Sequence, residues 1–235
     1  AGVRRRSRIS EPVEKFSTIK ALQAIERAHV VALMLDAREG LTDQDSTLLG
    51  HILTEGRALV IVLNKWDGLD AEHRKAVHSE LERKLTYVDW AQRVTISALH
   101  GSGLQELLDA VRRAWRSASA EFGTPELTRV LKQAFEAHQP PMKAGRTAKL
   151  RYAHAGGKLP PRIVIHGSRT DTIPDAYRRY LANRFIQHFK LKGTPLIIEF
   201  RDSENPYRER KNVLTPRQMD KRRRLKKFTA RKSRK

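Results

Sequence analysis

Six consecutive apolar residues, Ala58-Leu59-Val60-Ile61-Val62-Leu63, run without a polar break and stop at Asn64. A half-exposed strand alternates polar with apolar, and an amphipathic helix repeats about every 3.6 residues; this run does neither. Short, β-branched and unbroken, it fits a strand buried on both faces of a parallel sheet, which requires helices on each side. Ligands of open α/β sheets bind just beyond the carboxyl ends of such strands, where Asn64-Lys65-Trp66-Asp67 begins.

The surrounding sequence supplies the alternation that such a sheet needs. Ser17 can cap a helix carrying Ile19, Leu22 and Ile25 and ending near Ala28, and a second buried strand over 30–35 closes on Asp36. Thr42 or Asp43 can cap a helix with Leu48, Leu49, Ile52 and Leu53, stopped by Gly56. A charged helix over 71–85, a strand over 93–96 and a helix over 103–115 follow the central run. Gly123-Thr124-Pro125 marks a boundary, after which the pattern is helix, strand (148–154), strand (162–166), long helix (175–189) and strand (195–200). That order predicts a small α+β domain with an antiparallel-type sheet backed by helices, in which Tyr177, Leu181, Phe185 and Phe189 form a core stripe. The expected organisation is 1–123, 124–206 and a basic tail over 207–235.

The residue types after the central strand suit a guanine base. Guanine presents two adjacent donors, N1–H and the 2-amino group, and one carboxylate, Asp67, accepts both; adenine offers no such pair. Lys65 would lay its alkyl stem along the ring with its head in solvent. Asn64 would touch the base edge and tie the loop to its neighbours. Ser97-Ala98-Leu99, leaving the next strand, could offer backbone N–H groups to the guanine carbonyl.

Charge separates the two halves. The formal net charge of +21 is carried mainly after the boundary: residues 1–123 hold 18 Lys/Arg against 17 Asp/Glu, 124–206 hold 15 against 7, and 207–235 hold 14 against 2. The polyanion-seeking part is therefore the C-terminal half. The tail, with Lys221, Arg222, Arg223, Arg224, Lys226 and Lys227, cannot bury enough apolar surface to fold alone and is expected to be disordered until it binds RNA. Only Leu225 and Phe228 could anchor it in a membrane, so no membrane role is expected. The absence of cysteine excludes disulfides, His29, His51, His73 and His78 lack ligand spacing, and no stretch reads as a signal peptide or a span; a cytoplasmic protein is expected.

These residues resemble a known family. Ala1-Gly2-Val3-Arg4-Arg5-Arg6 looks like the end of an Asp-Thr-Ala-Gly switch motif without its Asp-Thr. With Lys15-Phe16-Ser17, Ala24-Ile25-Glu26-Arg27-Ala28, Asn64-Lys65-Trp66-Asp67, Ser97-Ala98-Leu99 and Gly101-Ser102-Gly103, the chain is similar to the bacterial ribosome-assembly GTPases of the Der (EngA) family. The resemblance implies the later part of the second of two P-loop-type GTPase domains, then a KH-like domain and a basic tail. It implies GTP or GDP as ligand, Mg²⁺ and in some cases K⁺ in the intact protein, and ribosomal RNA of the large subunit and the upstream GTPase domain as partners. Ala1 and Gly2 would then lie at the nucleotide, with the Gly2 N–H on the γ-phosphate. Val3 stands where many GTPases place a water-orienting glutamine, which implies a slow switch.

Two departures matter. No Gly-x-x-x-x-Gly-Lys-Ser/Thr loop occurs; the nearest approach, Gly156-Gly157-Lys158-Leu159 between two strands, lacks the first glycine and the hydroxyl, so this chain alone is expected not to hydrolyse GTP. The Gly-x-x-Gly clamp of RNA-binding KH domains is also missing, so docking is the better expectation for that domain than sequence-specific RNA reading. Arg4, Arg5, Arg6 and Arg8 fit either a solvated loop or a contact that depends on nucleotide state, and Asp36 is expected to be structural. Two readings stay open: a GTPase switch in large-subunit assembly, and a basic RNA-binding assembly factor without nucleotide turnover.

Overall fold

The computed structural model describes residues 12–143, 145–202, 219, 220, 223 and 224, with the side chains of 12–18 excepted. The first half is built around β2 (Ala58–Asn64), flanked by β1 (Val30–Asp36) and β3 (Gln92–Thr95) in a parallel sheet of order β1-β2-β3. Helices α2 (Asp43–Thr54) and α3 (Ala71–Lys84) make the two crossovers, which is what brings neighbouring strands parallel.

β2 is dry on both faces, as its composition predicts. Leu59, Ile61 and Leu63 point into a cluster with Leu49, Ile52, Leu81 and Leu85. Val60 and Val62 face Ala110, Ala114 and Ala118 of α4 (Leu104–Ala118), whose alanines let the helix lie close to the strands. β1 departs from the expectation of a buried strand. Leu33 and Leu35 are buried, but on the other face only Val30 packs against the α4 cluster; further along the strand Ala32 is exposed and Met34 is 51% exposed.

Several boundaries move. Helix α1 (Pro12–Arg27) starts five residues before Ser17, which therefore sits inside the helix and does not cap it; Pro12 suits a first turn, where no N–H is needed. Thr42 is the cap of α2, in a reciprocal capping box with Asp45, and Gly56 follows its end at φ +64°.

The second half pairs β4 (Lys149–Gly157) antiparallel with β5 (Arg162–Ser168), and β5 parallel with β6 (Ile197–Asp202). The sheet is thus mixed, not antiparallel throughout, because α6 (Asp175–Phe189) crosses over between β5 and β6 and returns the chain in the same direction. Gly156 and Gly157 fall in β4 itself and not between strands. Helices α5 (Thr124–Ala137) and α6 cover one face, with Leu127, Leu131, Ile163, Ile165, Tyr177, Leu181, Phe185 and Ile198 in one core and Phe189 packed against it. The Tyr177 hydroxyl donates to the His138 carbonyl at 2.7 Å; burial, and then neighbouring Tyr180, pushes its pKa up to about 12.

Both sheets belong to one compact unit that ends at Asp202. The segment after α6 stitches them together: the Leu59 N–H donates to the Gly193 carbonyl at 2.8 Å, and the Gly193 N–H to the Trp90 carbonyl at 2.8 Å. Gly193 has φ +72°, and a Cβ there would stand 2.6 Å from that of Ala114, so glycine is required on both counts. Lys158 also pairs with Glu121.

In the tail, Met219, Asp220, Arg223 and Arg224 are helical, which corrects the expectation of a wholly unstructured tail at those four positions. Lys, Arg, Met and Leu are good helix formers, and composition alone underweights that.

Candidate functional site

The carboxyl ends of all three parallel strands deliver polar residues to one edge of the sheet. In register, Asp36 lies opposite Asn64. The Asn64 Oδ1 accepts from the Lys65 N–H at 2.8 Å and from the Ala98 N–H at 3.0 Å, so one side chain splices the loop after β2 to the loop after β3. The Trp66 N–H donates to the Ile96 carbonyl at 3.2 Å and reinforces the splice. Lys65 adopts φ +63°, a left-handed backbone that turns the chain so that Asp67 follows on the same edge.

Lys65 does not leave its head in solvent alone: its Nζ lies 2.6 Å from the Asp36 Oδ2. Burial works against ionisation of Asp36, but the Lys65 hydrogen bond, the Arg38 backbone N–H and the charges of both cations outweigh it and hold the carboxyl below its ordinary range. Asp36 is therefore tied to the loop after β2 and is more than a local cap.

Asp67 is positioned by the other loop. A hydrogen bond from the Ser97 side chain holds its pKa below the ordinary carboxylate value against a smaller desolvation effect, helped by its own backbone N–H and by His100 and Arg38. The His100 Nε2 lies 3.5 Å from the carboxylate. Ser97 itself is 1% exposed, bridged to Ser102 through its backbone. Gly103, at φ +77°, lets α4 start hard against β3: a Cβ there would stand 2.3 Å from the Thr95 carbonyl oxygen.

The structure thus gathers Asn64, Lys65, Asp67, Ser97 and Ala98 at one edge. The Ala98 N–H is already given to Asn64, while Leu99 stands out 84% exposed. A cavity of about 560 Å³ reaches Asp67 and runs along β3 past Arg74, Arg93 and Gly103; Asn64, Lys65, Ala98 and Leu99 do not line it. Chemically, the edge offers an ionised carboxylate in a half-open cleft beside a left-handed turn, able to accept two parallel N–H donors from a planar base.

Sequence reasoning gave Asp36 its structural part, borne out where its Oδ1 accepts from the Arg38 N–H at 3.0 Å, but missed its pairing with Lys65 and the parts played by His100 and Arg38. A signal for Asp36 existed: both long strands end in one polar residue after an apolar run, so parallel alignment puts Asp36 beside Asn64. Ala1 and Gly2, like Arg4, Arg5, Arg6 and Arg8, lie outside the described residues, as do Lys221, Arg222, Lys226 and Lys227; Arg223 and Arg224 are exposed.

Comparison with known proteins finds two families. The elongation factor Tu GTP binding domain matches residues 15–117, and the KH-domain-like of EngA bacterial GTPase enzymes, C-terminal, matches residues 122–201. The chain is 55% identical over 225 residues to GTPase Der of Thioalkalivibrio sulfidiphilus (strain HL-EbGR7), covering 96% of this chain and 48% of that protein. It is 54% identical over 225 residues to GTPase Der of Legionella pneumophila (strain Lens), covering 96% and 49%. The chain spans about half the length of these relatives. Among solved structures it matches a variant of Aquifex aeolicus Era bound to GDP.AlF4-, with TM-score 0.43, 19% identity, and 89% and 76% coverage of the two chains.

Proposed function

Because the chain belongs to the GTPase Der family, we propose that residues 1–123 form the base-recognising part of a GTPase domain, followed by a KH-like domain over 124–206 and a basic tail. In this reading the intact protein binds GTP or GDP, hydrolyses GTP, and uses the nucleotide state to time docking on ribosomal RNA of the large subunit in the cytoplasm, with its upstream GTPase domain as an intramolecular partner. Asp67 reads the guanine edge, Asn64 holds the two loops in register, Lys65 covers the ring with its stem, and the Ser97-Ala98-Leu99 turn closes the base site. Ala1 and Gly2 belong to the phosphate end, and Lys221 to Lys227 to the RNA contact.

The observation that carries the reading is the ionised Asp67 carboxylate, held by Ser97 at the mouth of the sheet beside the Asn64 splice. The residues described fit the base and not the phosphates. Among them Gly156 and Gly157 lie in β4, no phosphate-cradling glycine loop is present, and no cluster of acidic or histidine side chains offers Mg²⁺ a ligand set. Mg²⁺ and K⁺ therefore enter only as ions of the intact protein.

The test is Asp67→Asn in the intact protein. An amide donates where the carboxylate accepts, so guanine nucleotides should lose roughly 10-fold or more in affinity while xanthine nucleotides gain, each charge-assisted hydrogen bond contributing about 1.5–3 kcal/mol. Unchanged selectivity in a nucleotide competition assay would favour the basic assembly factor without turnover. The chain by itself should release no phosphate from GTP above buffer background.

A further inference from the structure

The face of the β4-β5-β6 sheet opposite α5 and α6 carries rings and cations in place of the polar side chains usual on a solvated face. In register, Tyr152 of β4 lies opposite His166 of β5, and His166 opposite Arg201 of β6. The Tyr152 and His166 rings stack with centroids 4.5 Å apart and planes 4° from parallel, and His154 stacks on His166 at 5.1 Å. Beneath them Val164, which also points to this face, is only 2% exposed. Cross-strand ring pairs stabilise sheets, and that accounts for the Tyr152–His166 contact. It does not account for the other side of Tyr152. Among the described residues β4 is an edge strand, and Tyr152, at the end of the ladder, remains 42% exposed.

We propose that this face binds single-stranded RNA, with an unpaired nucleobase extending the ladder at the outer face of Tyr152 and Arg201 at its far end contacting backbone phosphate. The proposal rests on the reading of RNA as partner and deepens it by naming the strand form and the contact. Three observations favour nucleic acid over a protein partner. Solvent-accessible aromatic rings are the platforms on which unpaired bases stack, whereas a protein-docking face would show a contiguous apolar patch. Arg201, with its side chain 62% exposed, ends the row; Glu199 on the same face lies 3.9 Å from it and also pairs with Arg162, so one carboxylate stands among two cations, in a region whose net charge is +8. The imidazole of His166 is held below its ordinary pKa by desolvation first and by His154 and Arg201 next, so it presents a neutral ring. The site also lies on the opposite side of the sheet from the helices, which suits a domain without the Gly-x-x-Gly clamp.

The experiment is anisotropy of a labelled, unstructured RNA decamer titrated with the full chain, its Tyr152→Ala variant and its Tyr152→Phe variant, at one fixed salt concentration, beside an abasic strand of equal length. Loss of one base–aromatic stack predicts that Tyr152→Ala weakens binding about 10-fold, with Tyr152→Phe within about 2-fold of the parent and the abasic strand bound equally weakly by all three. Equal affinity of the parent for base-bearing and abasic strands overturns the proposal without reference to any variant. So does an equal loss by Tyr152→Ala on both strands. RNA binding that is indifferent to bases removes the stacking site and leaves RNA as partner; no binding to any strand removes both.

Discussion

Asn64 gives one side-chain oxygen to two backbone N–H groups, its neighbour's and that of Ala98, 34 residues on. Either loop could otherwise shift without moving the other. Asn64→Ala removes the shared acceptor, so the loops lose their splice and stability should fall by about 1–2 kcal/mol, read as a lower urea midpoint with unchanged slope. The residue types at this edge were legible in the sequence, since Asn64, Lys65 and Asp67 follow an apolar strand and Ser97 follows another. The pairing of Lys65 with Asp36 was not. An ion pair between residues 29 apart depends on strand register, and the sequence carries register only as two apolar runs of similar length. Lys65 therefore loses some of the freedom first assigned to it, and the Asp36 carboxylate becomes part of how the base loop is held.

At the level of elements, the strands of the first sheet were readable because burial on both faces leaves no room for polar residues. β2 shows this fully; β1 does not, with Met34 exposed beyond the reach of α4 despite an equally apolar sequence. Apolar composition permits burial and does not compel it. The mixed second sheet was hidden for a related reason: strand direction is set by which connection carries the helix, and pattern alone shows only that β5, α6 and β6 occur in that order. The start of α4 gives a sharper test. Gly103→Ala forces a side chain into a left-handed backbone and against the Thr95 carbonyl, so α4 must draw back from β3. A cost of about 2 kcal/mol or more is expected, the left-handed penalty alone being roughly 1–2, with a matching fall in thermal midpoint.

For the whole molecule, charge is distributed by module: a nearly neutral sheet domain, then a basic α+β domain and a more basic tail. If the C-terminal half neutralises RNA phosphates, the logarithm of the binding constant should fall linearly with the logarithm of salt concentration, by about 0.7 per phosphate contacted on a single strand. A flat response in a filter-binding series at several potassium chloride concentrations would exclude that mode. The boundary after residue 123, plain in sequence as Gly123-Thr124-Pro125, is less of a seam in three dimensions, because Gly193 returns to the first sheet. Its carbonyl is the acceptor for an amide in the driest strand of the protein, Leu59 being 0% exposed. Separating the two halves at Gly123-Thr124-Pro125 would remove this acceptor and hand the Leu59 amide back to water, a cost of about 0.5–1.5 kcal/mol borne by the half that remains. The two modules are thus dissectable on paper but share one thermodynamic fate.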